Sequence, residues 1–304
     1  QNWKYVLSAC LMSGPFFQIQ AQNKFVPMED VNQVVDLTLD SLEQANTMRP
    51  VPGSSRRGDH PVLFLVGNST MRTGTKGNGD NGQWGWGHEV PQYFDSNKIT
   101  VENHALGGTS SRTFYKQLWP AVKKGIRKGD YVIIELGHND NGPFDSGRAR
   151  ASIRGISPTD SLVVTIKETG RQDTVYSYGE YLRRFVKECK ALGAQPVLLS
   201  LTPRNAWDEK NPGHIVRVNE TFGLWARQVA EEQDIPFVDL NDWTAKRFEC
   251  FSAWKVNYHF YLDKIHTSLF GAALNARSAA EGLAASTHPA LKGLQDCLIN
   301  LEVR

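Results

Sequence analysis

Residues 61–70 read Pro-Val-Leu-Phe-Leu-Val-Gly-Asn-Ser-Thr, an apolar run that passes directly into a polar turn. Four more apolar runs follow along the chain, separated by stretches with helical periodicity. Four of the five runs lack polar alternation, which is typical of strands covered on both faces. The predicted strands are residues 61–66, 99–105, 131–136, 196–201 and 236–240, and the predicted helices are residues 111–126, 178–192, 214–233 and 268–284.

This alternation of strands and helices predicts a parallel sheet with right-handed crossover connections. We therefore expect an α/β fold, in which three layers (α/β/α) surround a five-stranded parallel sheet of flavodoxin-like order. Another strand-like run, residues 162–166, lies within residues 160–179. It predicts a hairpin or an insertion beside the main sheet.

Polar turns that contain glycine follow the first three predicted strands, and they carry Ser69, Gly108 and Asn139. The carboxyl ends of neighbouring parallel strands meet at one crevice, so we expect these residues to share a site. A serine hydroxyl becomes a nucleophile when a base removes its proton. The N–H groups of Ser69 and Gly108 and the side-chain NH2 of Asn139 are candidate donors to the oxyanion that such an attack creates.

Two pairs of an acid and a histidine, spaced three residues apart, could supply the base. Asp263 and His266 stand just before the last predicted helix, and this spacing lets the carboxylate bind one ring nitrogen while the other faces the serine. Glu135 and His138 have the same spacing, but Glu135 lies inside a predicted strand and His138 adjoins Asn139. We therefore expect His266 to be the base and Asp263 its orienting partner.

Together these blocks resemble, in order, those of the SGNH (GDSL-type) hydrolases over roughly residues 60–285. The blocks are Gly67-Asn68-Ser69, Gly108, Gly137-His138-Asn139-Asp140 and Asp263-Lys264-Ile265-His266. Within that superfamily, Ser69-Thr70-Met71, Gly108-Thr109-Ser110-Ser111-Arg112 and Ile265-His266-Thr267 are similar to rhamnogalacturonan acetylesterases, which remove acetyl groups from pectic polysaccharide. The family usually has Asp before the serine. Asn68 keeps an acceptor there but lacks the charge, so we expect the turn to survive.

The resemblance implies a serine esterase that removes acetyl groups from plant cell-wall polysaccharide, rhamnogalacturonan first of all, through an acetyl-enzyme. It implies Ser69 as nucleophile, His266 as base, Asp263 as its partner, and Ser69, Gly108 and Asn139 as oxyanion donors, with no metal or other cofactor. The alternatives are a broad carbohydrate or short-chain esterase, and a catalytically impaired carbohydrate-binding protein on the same fold. A flavodoxin-like phosphate binder would leave Asp263 and His266 unexplained.

Several aromatic and polar side chains are candidates for contacts with sugar rings, whose C–H faces are apolar. They are Trp84, Trp86, Trp207 and His214. The competing interpretation is that the tryptophans fill the core, and we favour it for Trp86 because tryptophan is highly buried on average. Arg112 is expected to form a structural ion pair rather than to face a uronate.

Overall composition narrows the class of partner. The 34 Lys and Arg against 32 Asp and Glu give a net charge of +2, which is too balanced for a protein held to nucleic acid by phosphate contacts. No clean apolar stretch predicts a membrane span, so we expect no stable membrane insertion. The expected partner is an acetylated polysaccharide or oligosaccharide, and the sequence leaves the oligomeric state open.

The N-terminal segment has the pattern of a secretory signal peptide, residues 1–22, with Lys4 before a short apolar centre and small residues near Ala21. A buried helix is the alternative, and residues 7–10 also resemble a lipoprotein cleavage box. We expect an extension and linker over residues 23–59, the hydrolase domain over 60–288, a C-terminal tail over 289–304, and a secreted or periplasmic location.

The four cysteines contain no CxxC pair, so a zinc ribbon or thioredoxin-like site is not predicted. Cys10 lies in the expected signal peptide, and Cys189 lies in a helical pattern typical of a small buried apolar residue. Cys250 and Cys297 remain as the candidate disulfide in an exported protein.

Overall fold

The computed structural model describes residues 49–74 and 77–301. The expected signal peptide, with Cys10, and most of the expected N-terminal extension therefore lie outside the described residues.

A parallel sheet forms the centre of the molecule. The described strands are β1 (Val62–Gly67), β2 (Thr100–Asn103), β3 (Tyr131–Glu135), β4 (Ser161–Thr165), β5 (Gln172–Tyr176), β6 (Gln195–Leu199) and β7 (Phe237–Val238). The central sheet has the order β2-β1-β3-β6-β7, and every neighbouring pair in it is parallel. Strands β4 and β5 form a separate two-stranded hairpin. The expected five-stranded sheet of flavodoxin-like order is confirmed, and so is the hairpin beside it, which is antiparallel.

Helices cover both faces of the sheet. They are α1 (Trp86–Glu89), α2 (Ser111–Gln117), α3 (Trp119–Gly125), α4 (Tyr178–Ala191), α5 (Phe222–Glu232), α6 (Leu240–Glu249), α7 (Ala253–Val256), α8 (Leu269–Ala285) and α9 (Lys292–Gln295). Alternate β1 residues point to opposite sides, as the two-residue period of a strand requires. Phe64 packs with α2 to α5, whereas Leu63 and Leu65 pack with α1, α8 and α9. These two cores give the expected three layers.

Two predicted helices differ from those observed. The helix predicted over residues 111–126 is broken at Leu118, between α2 and α3, where Pro120 occupies the first turn of the second helix. The helix predicted over 214–233 is wrong for residues 214–221, because Ile215 instead pairs with Trp207 in an isolated bridge and the helix begins at Phe222.

Segments on both sides of the expected hydrolase domain pack against the sheet. Arg56 forms a bidentate ion pair with the fully buried Asp130: Nη1 lies 2.7 Å from Oδ1 and Nη2 lies 2.6 Å from Oδ2. Asp130 also accepts the N–H groups of Val62 and Arg127. At the other end of the chain, Leu291 and Leu294 are fully buried in the second core.

The candidate disulfide is absent: the described cysteines are all free. Cys250 is exposed and its Sγ contacts the carbonyl of Lys246, whereas Cys297 is buried and contacts the carbonyl of Gly293, each four residues earlier in the chain. The pairing is therefore wrong, whereas the expected burial of Cys189 is confirmed. None of the helices within residues 49–74 and 77–301 is long and apolar enough to cross a membrane.

Replacing Asp130 should destabilise the fold strongly. The substitution D130A leaves the guanidinium of Arg56, whose side chain is only 8% exposed, without its partner. We expect the free energy of unfolding in urea to fall by about 3 kcal/mol, as for other buried ion pairs that lose one member.

The exposed pair of Lys292 and Asp296 is the control, because its side chains are 75% and 59% exposed. D296A should cost less than about 1 kcal/mol, since solvent screens such pairs. Equal losses in the two variants would contradict the assignment of Asp130.

Candidate active site

The structure brings Ser69, His266 and Asp263 into one chain of hydrogen bonds. Ser69 Oγ lies 2.8 Å from His266 Nε2, and His266 Nδ1 lies 2.6 Å from Asp263 Oδ2. Because the carboxylate binds Nδ1, that nitrogen carries the ring hydrogen and Nε2 is left to accept the serine proton. The two side chains of the acid–histidine pair remain partly open, 42% for Asp263 and 19% for His266.

Ser69 is positioned by the turn that follows β1. The carbonyl of the buried Asn68 accepts the N–H groups of Met71 and Arg72, at 3.2 and 2.9 Å, which closes a single helical turn. The side-chain oxygen of Asn68 accepts both the N–H and the hydroxyl of Thr70, at 3.1 and 3.0 Å. The turn therefore survives with Asn in place of the family's usual Asp, as expected, because its acceptor is kept.

A tight loop just before α8 presents His266. Phe260 and Thr267 pair as an antiparallel bridge, and the N–H of Tyr261 donates to the carbonyl of His266 at 2.9 Å. Inside this loop, Asp263 Oδ1 accepts the N–H groups of Ile265 and His266, each at 2.7 Å. Both carboxylate oxygens are thus engaged, so the loop itself fixes the direction from which Asp263 meets the imidazole.

These contacts also determine the charge of Asp263. Burial raises the pKa of its carboxyl, but hydrogen bonds from the His266 ring and from the amides of His266 and Ile265 outweigh burial and lower the pKa below its ordinary value. Asp263 is therefore ionised at neutral pH and stabilises a protonated His266.

A second contact attaches the base loop to the segment after the nucleophile. Trp84 and Thr267 form an antiparallel bridge, in which Trp84 N–H donates to the carbonyl of Thr267 at 2.9 Å and the Thr267 hydroxyl donates to the carbonyl of Trp84 at 2.6 Å. Trp84 is half-buried, so part of its ring remains available at the edge of the site.

The expected oxyanion donors lie on turns that adjoin the serine turn. Gly108 has φ +75°, a left-handed conformation that favours glycine. Thr109 links the turns, because its hydroxyl contacts the carbonyl of Gly67 and its own carbonyl accepts Asn139 Nδ2 at 2.9 Å. Within the described part of the chain, the N–H groups of Ser69 and Gly108 have no protein acceptor. Two backbone donors and the second N–H of Asn139 are thus left for a ligand.

Two charged residues that sequence reasoning had not assigned hold the oxyanion turns. Asp140 is fully buried and accepts the N–H and hydroxyl of Ser111 at the start of α2; burial raises its pKa to about 6. Arg150 donates to the carbonyl of Gly108 at 2.9 Å, and burial lowers its pKa to about 10. Asp140 belongs to the block of residues 137–140 that resembles the SGNH hydrolases, whereas nothing in the local sequence of Arg150 indicates its role.

The candidates for sugar contacts separate in space. Trp86 is fully buried and donates from Nε1 to Glu135, so its assignment to substrate binding is wrong and the core alternative is correct. Trp207 and His214 line a surface cavity of about 800 Å³ that includes none of the triad or oxyanion residues. Arg112 is buried and pairs with Asp173, which is the expected structural role.

Comparison with known proteins places this geometry in a family. Residues 65–274 match the family model described as GDSL-like Lipase/Acylhydrolase family. The chain belongs to this family. The prediction of an ester hydrolase related to the SGNH (GDSL-type) enzymes is therefore confirmed at the level of the family, whereas the catalytic roles of individual residues stay predictions.

Relatives within the GDSL-like family include two described as rhamnogalacturonan acetylesterases. One from Emericella nidulans is 29% identical over 216 residues, covering 71% of this chain and 81% of the relative. RhgT from Bacillus subtilis is 28% identical over 193 residues, covering 62% of this chain and 68% of the relative.

Solved structures of similar proteins support the fold. YxiM from Bacillus subtilis aligns with a TM-score of 0.59 at 24% identity, covering 74% of this chain, and this chain spans 56% of that one. Axe2, an acetylxylan esterase from Geobacillus stearothermophilus, aligns with a TM-score of 0.50 at 20% identity, covering 74% of this chain and 94% of that one.

Alanine at position 108 should separate strain from chemistry. G108A forces a side chain into the left-handed region and displaces an oxyanion N–H. We expect the stability to fall by about 1–2 kcal/mol and the hydrolysis of nitrophenyl acetate to fall by about 100-fold.

Gly170, in the turn between β4 and β5, is a matched control because it has φ +70° and nothing near its Cβ position. G170A should lose similar stability and keep its hydrolysis rate. A comparable loss of rate in both variants would exclude a specific role for the Gly108 N–H.

Proposed function

We propose that this chain is a serine esterase that removes acetyl groups from a plant cell-wall polysaccharide, with rhamnogalacturonan as the preferred substrate. The contact between Ser69 Oγ and His266 Nε2, with Asp263 behind the ring, carries the proposal. The names of the two relatives from Emericella nidulans and Bacillus subtilis support the choice of substrate.

In the first half of the reaction, Ser69 attacks the acetyl carbonyl carbon while His266 Nε2 takes the hydroxyl proton. The carbonyl oxygen becomes an oxyanion, which the N–H groups of Ser69 and Gly108 and the free N–H of Asn139 stabilise. The intermediate then collapses: the bond to the sugar oxygen breaks, and His266 donates its proton to that oxygen. Ser69 is left as the acetyl ester.

Water completes the reaction by the same route. His266 removes a proton from water as the water oxygen attacks the acetyl carbon, and the same donors hold the second oxyanion. Collapse breaks the bond to Ser69 Oγ, which regains its proton from His266. The products are acetate and the free enzyme, and Asp263 keeps the imidazolium oriented in both halves.

The openness of the site suits a polymer. His266 and Asp263 are partly exposed on a loop at the surface, so an acetyl group on a long chain can reach Ser69 without threading the polymer into a closed cavity. Trp84, half-buried and bridged to Thr267, offers an apolar face beside the base.

Two exposed cations at the rim favour an acidic polymer over a neutral one. Lys264 stands inside the base loop, and its carbonyl accepts the N–H of Asn205 at 2.8 Å, which brings Arg204 to the same rim. The positive charge of Arg204 lowers the pKa of the buried His138, and only burial lowers that pKa more. Uronate carboxylates of a pectic chain would be attracted to these groups, whereas an uncharged xylan would not.

Removing the nucleophile should abolish turnover without unfolding the protein. S69A deletes one partly exposed hydroxyl, so we expect no detectable acetate release from acetylated rhamnogalacturonan together with an unchanged circular dichroism spectrum. An organophosphonate should label the wild-type chain at Ser69 and leave S69A unlabelled. A wild-type chain that resists labelling but binds the polysaccharide would favour the impaired binding protein instead.

The rim cations make the choice of polymer testable. R204Q should lower the ratio of kcat/KM on acetylated rhamnogalacturonan to kcat/KM on nitrophenyl acetate by roughly tenfold, the size of one charge-assisted contact. The same ratio measured with acetylated xylan should stay constant.

Lys128 is the control cation, because it is exposed and precedes β3. It therefore lies at the amino ends of the strands, on the side of the sheet away from the active site. K128Q should leave every ratio at its wild-type value. A wild-type preference for xylan would reject rhamnogalacturonan as the substrate while leaving the esterase mechanism intact.

A further inference from the structure

Glu135, the last residue of β3, is a fully buried carboxyl directly beneath the active-site turns. Within the described residues it forms no ion pair with Lys or Arg. Its contacts are instead the Thr70 hydroxyl at 3.1 and 3.2 Å, Trp86 Nε1 at 3.1 Å, the N–H of Thr202 at 3.2 Å and His138 Nδ1 at 3.5 Å. The proposed reaction gives this carboxyl no role.

Each partner of Glu135 stands next to a part of the active site. Thr70 follows the nucleophile, Ser69, and His138 precedes the oxyanion donor, Asn139. Trp86 is two residues from Trp84, which bridges to the base loop. One carboxyl therefore contacts the segments that carry the nucleophile, an oxyanion donor and the support of the base.

The side of Glu135 that faces His138 does not suit an ionised carboxylate. His138 Nε2 lies 3.2 Å from the carbonyl of Thr202 and 3.5 Å from the Thr202 hydroxyl. The carbonyl is the nearer of the two and only accepts, so Nε2 carries the hydrogen of the neutral ring. Nδ1 is then a lone pair, buried and with no hydrogen-bond partner, and it faces Glu135 Oε1. A carboxylate would set two acceptors against each other there, whereas a carboxylic acid would place a hydrogen between them.

The Thr70 hydroxyl leads to the same conclusion. Its single hydrogen is shared among Asn68 Oδ1 and both oxygens of Glu135. A neutral carboxylic acid attracts that hydrogen less strongly than a carboxylate does, so the hydroxyl can donate to Asn68, which holds the nucleophile turn. The neutral Asn68 also avoids a second carboxylate within reach of the same hydroxyl.

We propose that Glu135 is a positioning residue kept as a neutral carboxylic acid, whose hydrogen lies between its Oε1 and Nδ1 of His138 and ties the nucleophile turn to the oxyanion turn. Its effect on catalysis rests on the proposed esterase function, whereas its protonation does not.

The electrostatic surroundings agree with this geometry. Burial raises the pKa of Glu135 to about 7, against hydrogen bonds from Trp86, Thr202 and Thr70 that lower it. Burial, followed by the charge of Arg204, lowers the pKa of His138 to about 3, so the ring is neutral.

The other titratable groups that face this network come from neighbouring elements. Tyr178 of α4 has its pKa raised by burial and then by the charge of Asp140, so it is neutral. His266, from the loop before α8, acts on the network through His138, as Arg204 does.

The pH dependence of unfolding provides a test that needs no substrate. The carboxyl pKa is raised from 4.5 to about 7 on folding, so between these values the native chain holds a proton that the unfolded chain has lost. As the pH rises through that window, the ratio of the wild-type unfolding constant to that of E135Q should therefore rise by up to about tenfold per pH unit. Parallel curves for the two proteins would overturn the proposal.

Glu188 is the matched control, because it too accepts a tryptophan N–H and a hydroxyl, from Trp119 and Tyr115. Burial raises the pKa of Glu188, but hydrogen bonds led by that of Lys123 lower it overall. E188Q should show no such divergence from the wild type above about pH 5.

Infrared spectroscopy reads the protonation state directly. At about pH 6, wild type minus E135Q should show the C=O band of a protonated carboxylic acid. Its absence would overturn the proposal. If E135Q folds poorly, wild type minus E135L provides the same difference spectrum, in which the band of Asp140 cancels.

Activity then tests positioning. E135L, which removes the hydrogen bonds, should lower kcat about 100-fold with a much smaller change in KM, as a small misplacement of reacting groups does. E135Q, whose NH2 can donate to His138, should restore most of kcat and lose the fall in kcat that the wild type shows as pH rises through the Glu135 pKa. Equal loss in both variants, or the same alkaline fall in E135Q, would reject the positioning role. If S69A shows that Ser69 is not the nucleophile, the unfolding and infrared results still decide the protonation.

Discussion

A hydrogen bond of 2.8 Å between Ser69 Oγ and His266 Nε2 joins parts of the chain that are 197 residues apart. It forms because β1 and α8 meet in the same core, so that the turn after the strand and the loop before the helix open at one edge of the sheet. The bridge between Trp84 and Thr267 adds a direct link between the two segments. The turns that carry Gly108 and Asn139, and the buried carboxyls around them, lie beside this contact.

Much of this arrangement follows from sequence patterns that have a single physical interpretation. Unbroken apolar runs that alternate with helices are typical of strands covered on both faces in a parallel sheet, which is why the strands are predictable. Ser69, Asp263 and His266 stand at strand and helix ends in spacings that suit their chemistry. Asn68 shows the same logic, because the turn needs an acceptor there and an amide oxygen supplies it as well as a carboxylate does.

Other features depend on packing that local sequence does not record. Residues 214–221 have helical periodicity, but Ile215 is held by a bridge to Trp207, so tertiary contact overrides the local preference. Trp86 lies close in sequence to the half-buried Trp84, and only the fold shows that its ring is covered. Glu135 has the acid–histidine spacing of a catalytic pair, yet it lies under the turns and faces a ring nitrogen of His138 that has no hydrogen-bond partner.

The clamp of Arg56 on Asp130 has a consequence for where this enzyme can be trimmed. Family similarity spans residues 65–274, a range that omits both Arg56 and the apolar cover supplied by Leu291 and Leu294. A protein truncated to residues 65–274 would keep Ser69, Asp263 and His266. It would bury the Asp130 carboxylate without its counter-ion, and it would expose apolar surface on one face of the sheet. The smallest unit that can fold on its own is therefore determined by the pairing of buried charges and the covering of apolar surface. That unit is longer than the range of family similarity.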